Sequence, residues 1–178
     1  DIDIVSGSQD DKTLFLFTND GSQSFTRSSI ATTSSLNGFN AVYATDMDGD
    51  NDTDIVTTTS DSNYLGWFEN NGSGSFTEHS ITTTSSHSSG TDSPISVFAT
   101  NIDERAGVDI ILSGFRGANG LSLKWYQNNT YQTFTENIIT TSGDMGYGVW
   151  AADLDGDNDV DIIFCDLNGN KIYWYENK

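Results

Sequence analysis

Two short stretches of the chain carry aspartate at every second position. One reads Asp153-Leu-Asp155-Gly156-Asp157-Asn-Asp159-Val-Asp161-Ile-Ile163, the other Asp46-Met-Asp48-Gly49-Asp50-Asn-Asp52-Thr-Asp54-Ile-Val56. Carboxylates packed this densely repel one another unless a cation lies among them. A short loop of hard oxygen ligands suits calcium, which takes about 6–8 oxygens at roughly 2.3–2.6 Å. At positions 1, 3, 5 and 9 of the stretches, the side chains of Asp46, Asp48, Asp50 and Asp54, and of Asp153, Asp155, Asp157 and Asp161, can supply oxygens. At position 7, Asp52 and Asp159 can turn their main-chain carbonyls inward. The pattern predicts about two calcium ions per chain; the alternative is a solvated acidic loop that holds no ion.

An EF-hand would have glycine at position 6, glutamate at position 12 and helices on either side. Here Gly49 and Gly156 stand at position 4, and position 12 is Thr57 or Phe164. The residues that follow, Ile55-Val-Thr-Thr-Thr59 and Ile162-Ile-Phe-Cys165, are β-branched and apolar and read as strands. Catalysis has little support. Paired carboxylates can act as a glycosidase acid and base, but these have metal-ligand spacing, and a carboxylate bound to calcium is a poor proton donor. The sequence has no Gly-x-Ser-x-Gly, no His-Glu-x-x-His and no phosphate-cradling glycine loop. The chain is read as non-enzymatic.

The elements that hold these loops recur. Asp1-Ile-Asp3-Ile-Val5 is the tail of another acidic loop, and Asn101-Ile-Asp103-Glu-Arg105-Ala-Gly107-Val-Asp109 is a degenerate one. The position-9 aspartates Asp3, Asp54, Asp109 and Asp161 are spaced by 51, 55 and 52 residues. Arg105 occupies position 5 of the third loop, where a carboxylate oxygen is needed. That loop is expected to bind no ion and to pair Arg105 with Asp103 or Asp109.

Each repeat has four strand-like parts. A strand enters the loop (Ala41-Val-Tyr-Ala-Thr45, Ser96-Val-Phe-Ala-Thr100, Gly148-Val-Trp-Ala-Ala152) and another leaves it. The third is aromatic: Leu14-Phe-Leu-Phe17, Leu65-Gly-Trp-Phe68, Leu123-Lys-Trp-Tyr126 and Ile172-Tyr-Trp-Tyr175. The fourth follows a turn, as in Ser24-Phe-Thr-Arg27 and Ser75-Phe-Thr-Glu78. Asn19-Asp-Gly21 and Asn70-Asn-Gly72 suit tight hairpins. Ser/Thr-rich segments (Ala31–Leu36, Thr82–Ser93, Thr140–Gly143) link the repeats. No helical period is present. The fold class is all-β: β-propeller blades of four antiparallel strands. The third strand is apolar on both faces, with Leu65 and Trp67 on one side and Tyr64 and Phe68 on the other, as a strand sandwiched between blades requires. One propeller segment of about 3.5 blades spans 1–178. Its repeats 36–94 and 95–143 are complete, and 1–35 and 144–178 are partial blades.

Composition narrows the partners. The chain of 178 residues has 26 acidic against 7 basic residues, a formal net charge of −19. Nucleic acid, which needs a basic patch, is excluded as a partner, and an anionic membrane surface is disfavoured. Ten of the aspartates lie in the two intact loops, so bound cations would relieve much of the imbalance. No run approaches the ~20 apolar residues of a membrane-spanning helix, and no membrane insertion is expected. The sequence shows no signal peptide and begins without Met in mid-motif; any targeting segment is expected to have been removed or to lie outside it. The single cysteine, Cys165, has no intramolecular disulfide partner and is expected to be a small buried apolar residue.

The stretches Gly148–Asn177 and Ala41–Ile81 resemble FG-GAP/VCBS-type repeats, and the resemblance covers essentially the whole chain. These are the repeats of bacterial and marine secreted proteins and of the amino-terminal propeller of integrin α subunits. The resemblance implies a calcium-stabilised propeller blade, an extracellular setting (secreted or cell surface) and a role in adhesion or structural assembly. By the same resemblance Asp46, Asp48, Asp50 and Asp54 supply side-chain ligands and Asp52 its carbonyl, with Asp153, Asp155, Asp157, Asp161 and the carbonyl of Asp159 doing the same. Complete propellers of the family have about seven blades. The partners expected here are therefore further blades, from the parent chain or from other copies, and a glycan or protein ligand. A carbohydrate-binding, lectin-like propeller appended to a secreted enzyme is the alternative.

Other residues carry weaker signals. Asn51, Asn71 and Asn128 head Asn-x-Ser/Thr sequons; Asn51 is read as a chance match inside its loop, whereas Asn71 and Asn128 are expected at exposed turns that a glycan could reach. Trp67, Trp125, Trp150 and Trp174 could stack on sugars, but their equivalent strand positions favour packing between blades. His79 and His87 are expected to decorate the surface.

Overall fold

A computed structural model describes residues 1–32, 38–59, 64–83, 93–115, 123–129, 132–141 and 146–178. Alternating apolar residues between turn-forming loops produce short antiparallel meanders, and every element among the described residues is a strand. The first sheet has three strands, β1 (Ile4–Gly7), β2 (Thr13–Asn19) and β3 (Phe25–Thr32). The second has four, β4 (Ala41–Thr45), β5 (Asp54–Thr59), β6 (Tyr64–Asn70) and β7 (Phe76–Thr83). The third repeats that order with β8 (Ser93–Thr100), β9 (Asp109–Phe115), β10 (Leu123–Asn128) and β11 (Phe134–Thr140). The last has β12 (Gly146–Ala152), β13 (Asp161–Asp166) and β14 (Lys171–Tyr175). The expected linkers lie largely outside the described residues, as does His87.

The sheets stack in chain order through three cores. Between the first and second lie Leu14, Phe39, Ile55 and Phe68. Met47, Val56, Leu65 and Trp67 meet Val97, Ala99, Ile110, Leu112 and Tyr126 between the second and third. Phe98, Ile111 and Leu123 meet Val149, Ala151, Ile162 and Phe164 between the third and fourth. Adjacent residues of one strand thus serve opposite cores, as Ile55 and Val56 do on β5. The two-sided burial read from the third strand is borne out: Leu65 and Trp67 enter one core and Phe68 the other. These are propeller-type blades, and among the described residues the four sheets do not close into a ring.

An aromatic ladder crosses the stack on the strand that enters each loop. The Tyr43 and Phe98 ring centroids are 4.7 Å apart, and those of Phe98 and Trp150 are 4.6 Å apart. Pairing extends the same row across each sheet: Tyr43 opposes Val56 and Val56 opposes Trp67, while Trp150 opposes Ile163 and Ile163 opposes Trp174. The outcome differs between sheets. Trp67 is 1% exposed, but Trp150 and Trp174 are 57% and 53% exposed because no described sheet covers the last one. Cys165, expected buried, is half-buried on that sheet.

Removing side chains from a core leaves a cavity as well as lost burial. Leu65→Ala and Leu123→Ala are each expected to destabilise by about 2–5 kcal/mol, whereas Ile172→Ala, on the open face, should change stability by less than about 0.5 kcal/mol. Urea unfolding measures all three.

Candidate metal centre

The loops between the first two strands of the second and fourth sheets fold alike because their backbones use the same residue types. Gly49 and Gly156 at position 4 have φ of 86° and 85°, and Asn51 and Asn158 at position 6 have φ of 73° and 76°. This is the left-handed region, tolerated by glycine and asparagine. Asp46 caps its loop by accepting from Gly49 N at 2.7 Å and Asn51 N at 3.0 Å. Asp153 does so from Gly156 N at 2.7 Å and Asn158 N at 3.1 Å. The Asp48 and Asp50 carboxylates accept from the amides two residues ahead, as do Asp155 and Asp157.

This geometry gathers carboxylates. Oxygens of Asp46, Asp48 and Asp50 lie within 4.8 Å of one another, as do oxygens of Asp153, Asp155 and Asp161. The donors are all hard oxygens, held in a loop with adaptable side chains, and this set fits a calcium-sized cation. Asp52 and Asp159 stand in the same loops at position 7; a Cβ on Gly72 would strike the Asp52 carboxylate, so the following hairpin turn closes tightly over that residue. Asp157 lies outside the second trio and Asp54 outside the first.

Position 9 has a further role that the spacing did not reveal. Asp54 is fully buried and accepts from Met47 N and Asn70 N, each at 2.8 Å. Asp109 accepts from Ile102 N at 3.1 Å and Asn128 N at 2.7 Å. Asp161 accepts from Leu154 N at 3.1 Å and Asn177 N at 2.9 Å, and Asp3 from Asn19 N at 2.9 Å. One carboxylate therefore ties each complete loop to the end of the third strand. Of the residues that meet it, Asn19, Asn70 and Asn128 end their aromatic strands and Asn177 lies two residues past the last one, and that recurrence was the available signal.

The third loop keeps this tie but loses the acid cluster. Asn101 reverses the position-1 contact by donating its side-chain amide to Arg105 O at 2.6 Å. Arg105 Nε lies 3.5 Å from Asp103 Oδ2, the ion pair expected, and Gln127 Nε2 donates to the same oxygen. One other expectation needs correction. Asn128 is buried, with its side-chain amide donating to Val108 O at 3.1 Å, so the strand end holds it inside rather than at an exposed turn. His79 is half-exposed yet engaged: its ring stacks on Trp67 at 4.5 Å and its Nε2 is 2.6 Å from Glu69 Oε2. Asn71 is exposed, as expected.

Burial and neighbouring charge set the acidities. Burial pushes the Asp54 carboxyl up to about 6, against its bonds from Asn70 and Met47 and with the charges of Asp48 and Asp50 adding to it. Burial also raises Asp48, Asp109 and Asp155. Asp161 moves the other way because the Asn177 amide outweighs burial. Its own loop covers it, but no described sheet is stacked beyond it.

Without a divalent ion, Asp54 holds its proton more tightly folded than unfolded. Its contribution is therefore complete below the unfolded value near 3.8 and is lost as the pH rises through about 6. In chelator, stability is expected to fall by up to about 3 kcal/mol from this group between pH 4 and 7. Asp54→Asn, which cannot ionise, should flatten that slope in urea unfolding.

Comparison with known proteins follows the same repeats. No curated protein matches the chain. A family model described as the FG-GAP-like repeat matches residues 1–57 and 107–164. The first match runs through the first intact acidic loop into β5, and the second from the degenerate loop through the second intact one into β13. Since these matches take in more than half of its length, the chain belongs to the FG-GAP-like repeat family.

Proposed function

We propose that this chain is a non-enzymatic, calcium-binding β-propeller segment of a secreted or cell-surface protein that acts in adhesion or structural assembly. The observation that carries the reading is a carboxylate trio in each intact loop, at positions 1, 3 and 5 of one and 1, 3 and 9 of the other, with the position-1 aspartate of each held by the same backbone hydrogen bonds. Asp46, Asp48 and Asp50 would hold one ion, and Asp153, Asp155 and Asp161 the other. Asp54 and Asp157 stand beside them, and Asp52 and Asp159 offer carbonyls. A bound ion would supply positive charge to loops that are otherwise wholly acidic, in a chain of net charge −19. Repeats of this family are typical of extracellular proteins, and among the described residues no helix is long and apolar enough to cross a membrane.

Because the ion would bind the folded loops and not the unfolded chain, it stabilises by mass action, about 2.7 kcal/mol per site at a hundredfold excess over Kd. Chelation is expected to lower Tm. Calorimetric titration should count two ions per chain. Asp48→Ala or Asp155→Ala should each remove one, and Asp103→Ala none. Three tight sites in the wild type would show that the third loop binds despite Arg105; no sites would overturn the calcium reading.

The partners belong to the same reading. Tyr147, Trp150, Ile172 and Trp174 form an exposed apolar face on the last sheet, and its Trp150–Ile163–Trp174 row has the residue types buried under the next sheet in the second and third. Further blades, from the parent chain or from other copies, would cover it. The lectin alternative has these two exposed tryptophans in its favour, and a saturable, sugar-specific signal on a glycan array would select it. On the packing reading, the 178 residues alone should self-associate, and Trp150→Ser combined with Trp174→Ser should shift sedimentation toward monomer. A stable wild-type monomer in dilute solution would count against it.

A further inference from the structure

The third loop compensates its lost carboxylates with help from outside the loop. Gln127, on β10, donates through Nε2 to Asp103 at position 3, and Arg105 brings its guanidinium to the same oxygen at 3.5 Å. In the two intact repeats the strand position of Gln127 is filled by Glu69 and Glu176. The backbone fixes this equivalence. Asn70, Asn128 and Asn177, the residues that follow, each donate an amide to Oδ1 of the position-9 aspartate of their own repeat. Residues 69, 127 and 176 therefore leave the sheet at the same place relative to the loop. Two changes go together: position 5 turns from Asp50 or Asp157 to Arg105, and the strand residue turns from glutamate to Gln127.

Charge explains the coupling. A glutamine can donate to a position-3 carboxylate, and a glutamate at the same place can only oppose it. Each glutamate also has a basic neighbour, Glu69 Oε2 with His79 Nε2 at 2.6 Å and Glu176 Oε1 with Lys178 Nζ at 3.4 Å. One carboxylate oxygen of each is thus accounted for, and each is a bidentate group with a second.

We propose that Glu69 and Glu176 belong to the two cation sites as outer carboxylates facing position 3, and that glutamate or glutamine here separates a repeat that takes a divalent ion from one that carries its own cation. The inference rests on the calcium reading above and names residues outside the acidic loops. Such a carboxylate orients an inner ligand or reaches the ion through water, and its loss weakens affinity without deleting the site.

The test uses the full chain with calcium chloride as the probe, read by titration calorimetry and by the calcium-dependent shift in Tm. Glu69→Gln and Glu176→Gln should each weaken one of the two sites by about tenfold or more, with two ions still bound at saturation. In the opposite direction, Arg105→Asp with Gln127→Glu should add a third ion, and Arg105→Asp alone should add a weaker one. Unchanged affinity in both glutamate variants, with two normal sites in the wild type, would overturn the inference and leave the calcium reading intact. A double variant that folds with a wild-type circular dichroism spectrum and still binds two ions would do the same. Absence of calcium binding in the wild type would defeat the calcium reading, and this inference with it.

Discussion

A buried carboxylate that accepts two backbone amides ties each complete loop to its sheet. One amide comes from position 2 of the loop and the other from an asparagine at or just past the end of the third strand, 16 to 19 residues away. A buried anion is expensive unless it is fully hydrogen-bonded, and this one has a donor on each oxygen. The tie sets where the loop begins its turn and where the third strand stops. Asp109 shows that the tie does not depend on an ion, because it survives where the acid cluster is gone. In the second sheet the duties are divided within one loop, with Asp54 joining loop to strand and Asp46, Asp48 and Asp50 brought together, whereas in the fourth Asp161 both makes the tie and lies with Asp153 and Asp155.

The stack of sheets depends on the same junction. A sheet can serve two cores only if its strands hold their register, since a slip of one residue would send Ile55 and Val56 to the wrong sides. The loop fixes the register between β4 and β5, where Thr45 pairs with Asp54 itself, and the asparagine fixes where β6 ends. The Tyr43–Phe98–Trp150 ladder then falls into line across three sheets, because each ring occupies the same place relative to its own position-9 aspartate.

Much of this was legible in the sequence because it repeats. The period of position-9 aspartates located the blades, the two-sided third strand announced burial on both faces, and Arg105 marked the loop that departs from the rest. What stayed hidden depends on contacts between segments distant in the chain. Alternate aspartates look equivalent in one dimension, yet Asp54 lies beneath its loop while Asp46, Asp48 and Asp50 face one another. Asn128 reads as a glycan acceptor at a turn until its amide is seen closing the loop behind Val108. The tryptophans look alike too, yet stacking order separates buried Trp67 from its exposed counterpart Trp174, and exposed Trp150 stands on the strand that enters the loop.

The contrast between loops also says how such a site can change without loss of the fold. Removing one carboxylate from an intact loop would leave the others repelling one another, with too few oxygens to hold an ion. In the third repeat the change is balanced: a guanidinium enters at position 5, an amide replaces the strand carboxylate, and Asn101 turns from acceptor to donor. Each new contact supplies a hydrogen-bond donor or positive charge where an intact repeat has a carboxylate. The position-9 tie is untouched, so the strands on either side keep their register. On the calcium reading proposed above, a repeat exchanges a mobile cation for a tethered one when the loop and the third strand change together.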